Sequence, residues 1–137
     1  GTDGCGGNMF EEIKIGFFKH KDVTGPWWPS NFLEVLNRGN RLVESQFGGR
    51  IKLGKIEEGY TADIVLLDYN NPTPLVTENA PGHFVWGMGS GCVNTTIVNG
   101  KVLFRDHKFV RSDASDIYKR AAEVAGELWK EVDKIKA

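Results

Sequence analysis

The stretch VNTTIVNGKVLF, residues 93–104, decides the fold of the middle of this chain. Apolar and β-branched residues alternate with polar ones on the two sides of Asn99-Gly100, which is the pattern of paired strands with one buried face. Asn-Gly is the pair that a type I′ turn favours, because both central residues of that turn have positive φ. The stretch therefore predicts a β-hairpin that turns at Asn99 and Gly100.

Further strands are predicted on either side of this hairpin. The run IVLL at residues 64–67 is short and rich in branched side chains, so we expect a strand that is buried on both faces. Downstream, a turn over residues 106–108 leads to Phe109-Val110. Prolines and glycines punctuate residues 70–91, which predicts a long loop with one helical turn.

The N-terminal part of the chain predicts three helices. Asn8 is a suitable N-cap for a helix over residues 9–20. Ser30 is a suitable N-cap for a second helix, which we expect to stop at Gly39. Asn40 is a suitable N-cap for a third, short helix, which we expect to end at Gly48-Gly49.

The C-terminal part predicts one long amphipathic helix with Asp113 as its N-cap. Its apolar residues recur every three or four positions, as one face of a helix requires. They are Ile117, Ala121, Val124, Leu128, Val132 and Ile135. The charged residues between them predict a solvated opposite face.

Composition describes a globular chain and excludes several classes of partner. The 137 residues suit one ordinary domain, with 40% hydrophobic and 26% charged residues. The net charge of −1 gives no general attraction to nucleic acid or to an anionic membrane. No apolar run reaches the roughly 18 residues of a membrane span. Cys5 and Cys92 share no metal-binding spacing and are expected to be free thiols.

Three stretches together resemble the C-terminal part of the metal-dependent amidohydrolase superfamily. They are GTDG at residues 1–4, LGKIEEGYTADIVLLD at residues 53–68 and VNGKV at residues 98–102. The group that the chain resembles is that of the aminohydrolases and chlorohydrolases related to guanine and cytosine deaminases. Within it, the chain is most similar to an aminohydrolase linked to selenium metabolism. The helix after Asn8 and the terminal helix with Leu128-Trp129 fit the same resemblance.

The resemblance implies an α+β fragment of a larger architecture. In that family a (β/α)₈ barrel holds the metal, and both ends of the chain build a small β-sandwich. Residues 1–48 would be the end of barrel strand eight with its trailing helices, and residues 49–111 the C-terminal half of the sandwich. Residues 112–137 would be an amphipathic helix that packs back on the body. A complete barrel takes about 250 residues, and no initiator Met precedes Gly1, so we expect a piece of a longer protein.

Asp3 is the residue to which the resemblance assigns chemistry. It corresponds to the aspartate at the end of strand eight, which would bind one divalent metal, zinc or iron, and shuttle a proton. From the residues alone, the favoured interpretation of Asp3 is a turn residue or a helix cap. The family's other ligands are histidines that precede this aspartate, whereas His20, His83 and His107 all follow it. None of the three is given a metal role, and this chain alone is not expected to bind a metal tightly.

Three further residues are candidates for binding the substrate. His83 lies in the long loop, which the resemblance brings near the mouth of the active site. Trp27 and Trp28 lie between prolines and either line a substrate pocket or pack beneath a barrel loop. Asp63 opens a strand after a turn, so we expect it to have a structural role.

The resemblance implies a cytoplasmic hydrolase that acts on a C–N or C–Cl bond of a small cyclic or amidine-like molecule. The alternative is a β-sandwich module without catalytic activity that serves folding or docking. A carbohydrate-binding sandwich is less favoured, because the strands offer no evident aromatic platform. For partners we expect the small-molecule substrate and either a homo-oligomer or pairing with the missing N-terminal part.

Overall fold

The computed structural model describes residues 6–23 and 25–136, the last of them by its backbone only. Helices precede and follow a small antiparallel sheet. The elements in chain order are α1 (Met9–Val23), α2 (Pro29–Gln46), β1 (Ile64–Leu67), the single turn α3 (Ala80–Gly82), β2 (Val93–Val98), β3 (Lys101–Arg105), β4 (Lys108–Phe109) and α4 (Ala114–Lys136).

Helix α1 begins where its cap predicts and ends later than expected. The Asn8 side-chain oxygen accepts a hydrogen bond from the backbone N–H of Phe10 at 3.2 Å, which satisfies one of the free donors at the helix start. The helix then continues to Val23, beyond the predicted end at residue 20. Its inner face buries Ile13 and Phe17.

Helix α2 corrects the prediction of two separate helices. It runs without a break from Pro29 to Gln46, so Gly39 neither ends it nor starts another. An interior glycine costs only about 1 kcal/mol, and Glu34 reaches across it to Arg41 at 2.6 Å. The helix begins one residue before Ser30, so Ser30 is not its cap. It ends at Gln46, shortly before Gly48 and Gly49, which both have positive φ and stand where the predicted third helix was to end.

The sheet has the order β1-β2-β3-β4, and all of its neighbouring strands are antiparallel. The predicted hairpin is confirmed: Val98 pairs with Lys101, and Asn99 and Gly100 have φ values of 48° and 73°. Asp63 has the structural role expected of it, because its carboxylate accepts a hydrogen bond from the backbone N–H of Asn99 at 2.7 Å. That bond ties the hairpin turn to the residue that precedes β1.

The prediction that β1 is buried on both faces is wrong. Val65 and Leu66 are each 51% exposed. One backbone edge of β1 pairs with β2, and no described helix packs extensively on either face of the sheet. Only Thr95 is buried among the residues of the four strands.

The predicted loop over residues 70–91 is more helical than expected. The turn α3 continues directly into a π-helical turn, His83–Gly87, and a 3₁₀ turn follows at Ser90–Cys92. Val85 in the π-helical turn is fully buried and packs with Ile13 and Phe17 of α1. This segment therefore forms part of the core with the two N-terminal helices.

Helix α4 confirms the predicted cap, since the Asp113 carboxylate accepts a hydrogen bond from the Ser115 N–H at 2.8 Å. The same bond lowers the pKa of Asp113. Most of the large apolar residues of α4 are exposed, Leu128 by 59% and Ile135 by 85%, whereas Val132 is half-buried. None of the described helices is both long and apolar enough to span a membrane.

Candidate functional site

Asp3 and Cys5 lie outside the described residues. Within residues 6–23 and 25–136, no group of three or more His, Cys, Asp or Glu side chains is placed to hold a metal ion. The three histidines lie in separate places, with His20 in α1, His83 at the start of the π-helical turn and His107 in the β3–β4 turn. The described residues therefore do not form a metal site by themselves.

His83 is held by hydrogen bonds at both ring nitrogens. Its Nδ1 lies 2.8 Å from the Tyr69 hydroxyl, and its Nε2 lies 3.1 Å from the Thr73 hydroxyl. A neutral imidazole donates at one nitrogen and accepts at the other, and a hydroxyl can serve either role. The three side chains therefore form one satisfied polar cluster, which fixes the orientation of the imidazole ring.

This polar cluster borders a groove of about 360 Å³. Trp86 and Gly87 contribute to its wall beside Tyr69 and His83. The Tyr69 hydroxyl lies against Gly87, where any side chain would collide with it. The groove therefore combines aromatic surface with a small number of hydroxyl and imidazole groups, as small-molecule sites do.

A second groove of about 430 Å³ lies beside the first. Trp28 and Pro29 line it, and Asn79, Gly82 and Trp86 line both grooves. The Trp86 ring lies across Gly82, where an added Cβ would be 3.1 Å from it. Trp86 therefore separates the two grooves and lines both of them, so that it lies between His83 in one groove and Trp28 in the other.

Trp27 and Trp28 are adjacent in sequence but differ in surroundings. The Trp27 ring stacks on His20 with a centroid distance of 4.8 Å and meets Phe32 edge-on at 5.6 Å. Trp28 is 66% exposed, and the Lys21 ammonium lies 4.9 Å from its ring centroid. The structure therefore places His83 and Trp28 around adjoining grooves and packs Trp27 among other aromatic rings.

Sequence reasoning missed Tyr69, Thr73 and Trp86. Tyr69 follows the predicted strand at 64–67 by two residues, and no neighbouring residue marks its contact with His83. The position of Trp86 is not marked in the sequence either. It depends on the π-helical turn, which places Val85 in the core and leaves Trp86 52% exposed at the surface.

A further groove, of about 750 Å³, lies between the β3–β4 turn and the start of α4. His107 in this turn has its Nε2 at 3.6 Å from the Asp68 carboxylate. The same carboxylate oxygen accepts a hydrogen bond from the Asn94 amide at 2.8 Å. The His107 and Asp68 side chains are solvent-exposed, and their contact joins the end of β1 to the β3–β4 turn. A structural role therefore explains their arrangement without a bound ligand.

Comparison with known proteins gives one family and a consistent set of relatives. The model of the amidohydrolase family matches residues 1–103. The 5′-deoxyadenosine deaminase of Methanocaldococcus jannaschii is 34% identical over 128 residues, which cover 90% of this chain and 30% of that protein. Those of Methanococcus maripaludis and Methanopyrus kandleri are 34% and 32% identical over 132 residues, each covering 93% of this chain.

The chain spans only about 30% of the length of these relatives. The family model, by contrast, covers most of the chain, including α1, α2 and nearly all of the β2–β3 hairpin. On this match, the chain belongs to the amidohydrolase family.

Proposed function

We propose that these residues are the C-terminal part of a cytoplasmic, metal-dependent deaminase that removes the amino group of a purine-type ring by hydrolysis. The observation that carries this proposal is the similarity to proteins named 5′-deoxyadenosine deaminase over at least 90% of the chain. A nucleoside of the 5′-deoxyadenosine kind is therefore the substrate to test first. Hydrolytic deamination adds water to the ring carbon and releases ammonia.

The proposed architecture divides the chain into three parts. Residues 1–48 would end a barrel, residues 49–111 would form the C-terminal half of a β-sandwich, and residues 112–137 would be an amphipathic helix that packs back on the body. Support comes from the chain's 30% share of the relatives' length and from the exposed faces of β1. A sheet with one buried residue needs a second layer to become a stable core.

In this proposal Asp3 is both metal ligand and proton carrier. A bound divalent metal, zinc or iron, makes water a nucleophile at neutral pH. The Asp3 carboxylate would accept a proton from the attacking water and later deliver it to the departing amino nitrogen. The remaining ligands would be histidines that precede Asp3 in a longer chain, as the resemblance implies.

The two grooves beside Trp86 are the proposed substrate-facing surface of this chain. Trp28 offers an exposed ring on which a planar base can stack. His83, oriented by Tyr69 and Thr73, would contact the polar edge of the substrate. Trp27 is the weaker candidate, because its ring already stacks on His20.

Two other functions compete with deamination. Cleavage of a C–Cl or amide bond would use the same metal and Asp3, and the family match alone is compatible with both. A folding or docking module without catalysis is the second, and the exposed sheet favours it. The finer grouping with guanine and cytosine deaminases, and the link to selenium metabolism, rest on the sequence resemblance alone.

The test is ammonia release from 5′-deoxyadenosine by the full-length protein that contains these residues. Asp3→Asn should lower kcat/KM by about a hundredfold or more, since it removes a proton carrier. Asp22→Asn is the matched control, because Asp22 is exposed and pairs with the exposed Lys19, at 3.1 Å. Unchanged activity of Asp3→Asn would refute the role of Asp3, and an inactive wild-type protein with its metal bound would refute the deaminase proposal.

A further inference from the structure

Asn99-Gly100 is the one Asn-Gly pair in the sequence, and both of its residues are exposed at the tip of the β2–β3 hairpin. Asparagine is a chemically labile residue. Its lability is greatest before glycine, because a residue without a Cβ leaves its own backbone nitrogen unhindered. The hairpin therefore brings a reactive side-chain amide and an accessible backbone nitrogen together at the surface.

The reaction open to this pair is spontaneous deamidation. The backbone nitrogen of Gly100 loses its proton to water and attacks the side-chain Cγ of Asn99, and the new C–N bond closes a succinimide ring. The bond between Cγ and Nδ2 breaks, and ammonia leaves. Water then opens the succinimide at either carbonyl, which leaves aspartate or isoaspartate at position 99. The reaction consumes water alone and needs no oxidant, reductant or cofactor.

Two hydrogen bonds in the folded chain oppose this reaction. The Gly100 N–H donates to the Ala62 carbonyl at 2.9 Å, and the Asn99 N–H donates to the Asp63 carboxylate at 2.7 Å. The first bond engages the proton that Gly100 must lose before its nitrogen can attack. The second holds Asn99 in the turn, where its φ is 48°. Rotation of the peptide unit between Asn99 and Gly100 toward the Asn99 side chain therefore breaks the bond to Ala62.

Both hydrogen bonds depend on the position of β1. Ala62 and Asp63 directly precede this strand, and its first residue, Ile64, pairs with Ile97 of β2. Strand β1 lies at an edge of the described sheet. Its detachment would remove both hydrogen bonds at once and would leave the β2–β3 hairpin with Asn99 unrestrained.

We propose that Asn99 is a site of spontaneous deamidation, and that the hydrogen bonds to Ala62 and Asp63 keep the reaction slow while β1 is in place. Deamidation then marks molecules in which β1 has left the hairpin. The product prevents a full return: a carboxylate at position 99 lies near that of Asp63, and like charges repel. Isoaspartate also lengthens the backbone of a turn whose length fixes the pairing of Val98 with Lys101.

Peptide mapping by mass spectrometry tests the proposal on the protein that contains these residues. The protein is incubated at neutral pH, both in buffer and in denaturing guanidinium chloride. Asn99 should deamidate faster than the other asparagines of this chain in denaturant, and about tenfold or more slowly in buffer, because the hydrogen bonds must first open. Asn71 is the internal control, since Pro72 follows it and has no N–H with which to attack.

Asp63→Ala tests the part of the carboxylate. It should raise the rate at Asn99 in the folded protein about tenfold, as the loss of one hydrogen bond to a charged acceptor predicts. Asp63→Asn keeps an acceptor oxygen and should restore most of the protection. Asp68→Ala is the matched control at the other end of β1, because its carboxylate accepts from the Asn94 side chain and not from the turn. Circular dichroism checks that the variants are folded.

Three results would overturn the proposal. They are a folded wild-type protein that deamidates at Asn99 as fast as the denatured one, a folded Asp63→Ala variant no faster than the wild type, and an Asp68→Ala variant as fast as Asp63→Ala. The third would show that general loosening of the sheet sets the rate. Should Asp63→Ala not fold, hydrogen exchange of the wild type decides, since a Gly100 amide that exchanges as fast as one in an unstructured peptide contradicts the proposal.

Discussion

The N-terminal helices and the sheet are stabilised in different ways. Ile13, Phe17 and Val85 form a small buried core, and aromatic rings surround it, with Phe17 meeting Phe32 at 5.7 Å and Trp86 at 5.6 Å. The sheet buries Thr95 alone, whose hydroxyl donates to the Asn94 side chain. Backbone pairing and turns define the sheet, whereas side-chain packing defines the helical part.

This difference indicates where each part is vulnerable. The helical part depends on a few large side chains, and a cavity there removes much of its stability. The sheet depends on residues that allow sharp turns, since Asn99, Gly100, Asp106 and His107 all have positive φ. Side chains on its exposed faces are expected to contribute little until another layer covers them.

The largest expected effect is that of Phe17→Ala in the helical core. Phe17 is 6% exposed, and truncation of a buried phenylalanine costs about 3–5 kcal/mol. Hydrogen exchange should accelerate strongly in α1 and α2 and much less in the β2–β3 hairpin. Phe18→Ala is the control, because Phe18 is 56% exposed. Equal acceleration in the hairpin would show that the helical part and the sheet unfold as one unit. It would contradict the difference in stabilisation between them.

A smaller effect is expected from Gly100→Val in the hairpin turn. Gly100 has φ of 73°, where a β-branched residue is strained, so the loss of stability should be about 1 kcal/mol or more. Thermal unfolding followed by circular dichroism measures it. Gly89→Val is the comparison, since Gly89 has an extended φ of −159° and open space around it. Equal melting temperatures for the two variants would contradict the importance of the turn.

The smallest effect concerns the exposed ion pairs of α2. The hydrogen bond from Arg41 lowers the pKa of Glu34 below its usual 4.5. A lowered folded-state pKa stabilises the helix above pH 4.5, and this contribution disappears as the pH falls through the lowered value. Helicity should therefore decline slightly on acidification in the wild type, and less in Glu34→Gln. Identical acid titrations of the two proteins would show that the ion pairs contribute nothing measurable.

The features that sequence predicted correctly are those governed by neighbouring residues. Asn8 and Asp113 cap their helices, and Asn99-Gly100 turns the hairpin, because each acts on backbone groups within three residues. The continuity of α2 across Gly39 was missed, since it involves side chains on both sides of the glycine. Exposure of Val65 and Leu66 was also missed, because burial depends on distant parts of the chain.

In the candidate site, too, some residues could be predicted from the sequence and others depend on distant parts of the chain. Residue type singled out His83 and Trp28, and the structure places both beside Trp86. The contacts of His83 with Tyr69 and Thr73 span 14 and 10 residues and follow no local rule. Asp3 stays a prediction from resemblance, because it lies outside the described residues.

The bond between Tyr69 and His83 also has a consequence for how this protein can vary. It closes the intervening segment into a loop whose two ends are held together, and residues 70–78 are exposed throughout. The entropic cost of closing a flexible loop grows only with the logarithm of its length, by about 0.6 kcal/mol per doubling. Extra residues inserted between Asn70 and Asn71 should therefore leave the helical core intact. An insertion at this position would add exposed surface beside the groove bordered by Tyr69 and His83 and would leave that groove intact.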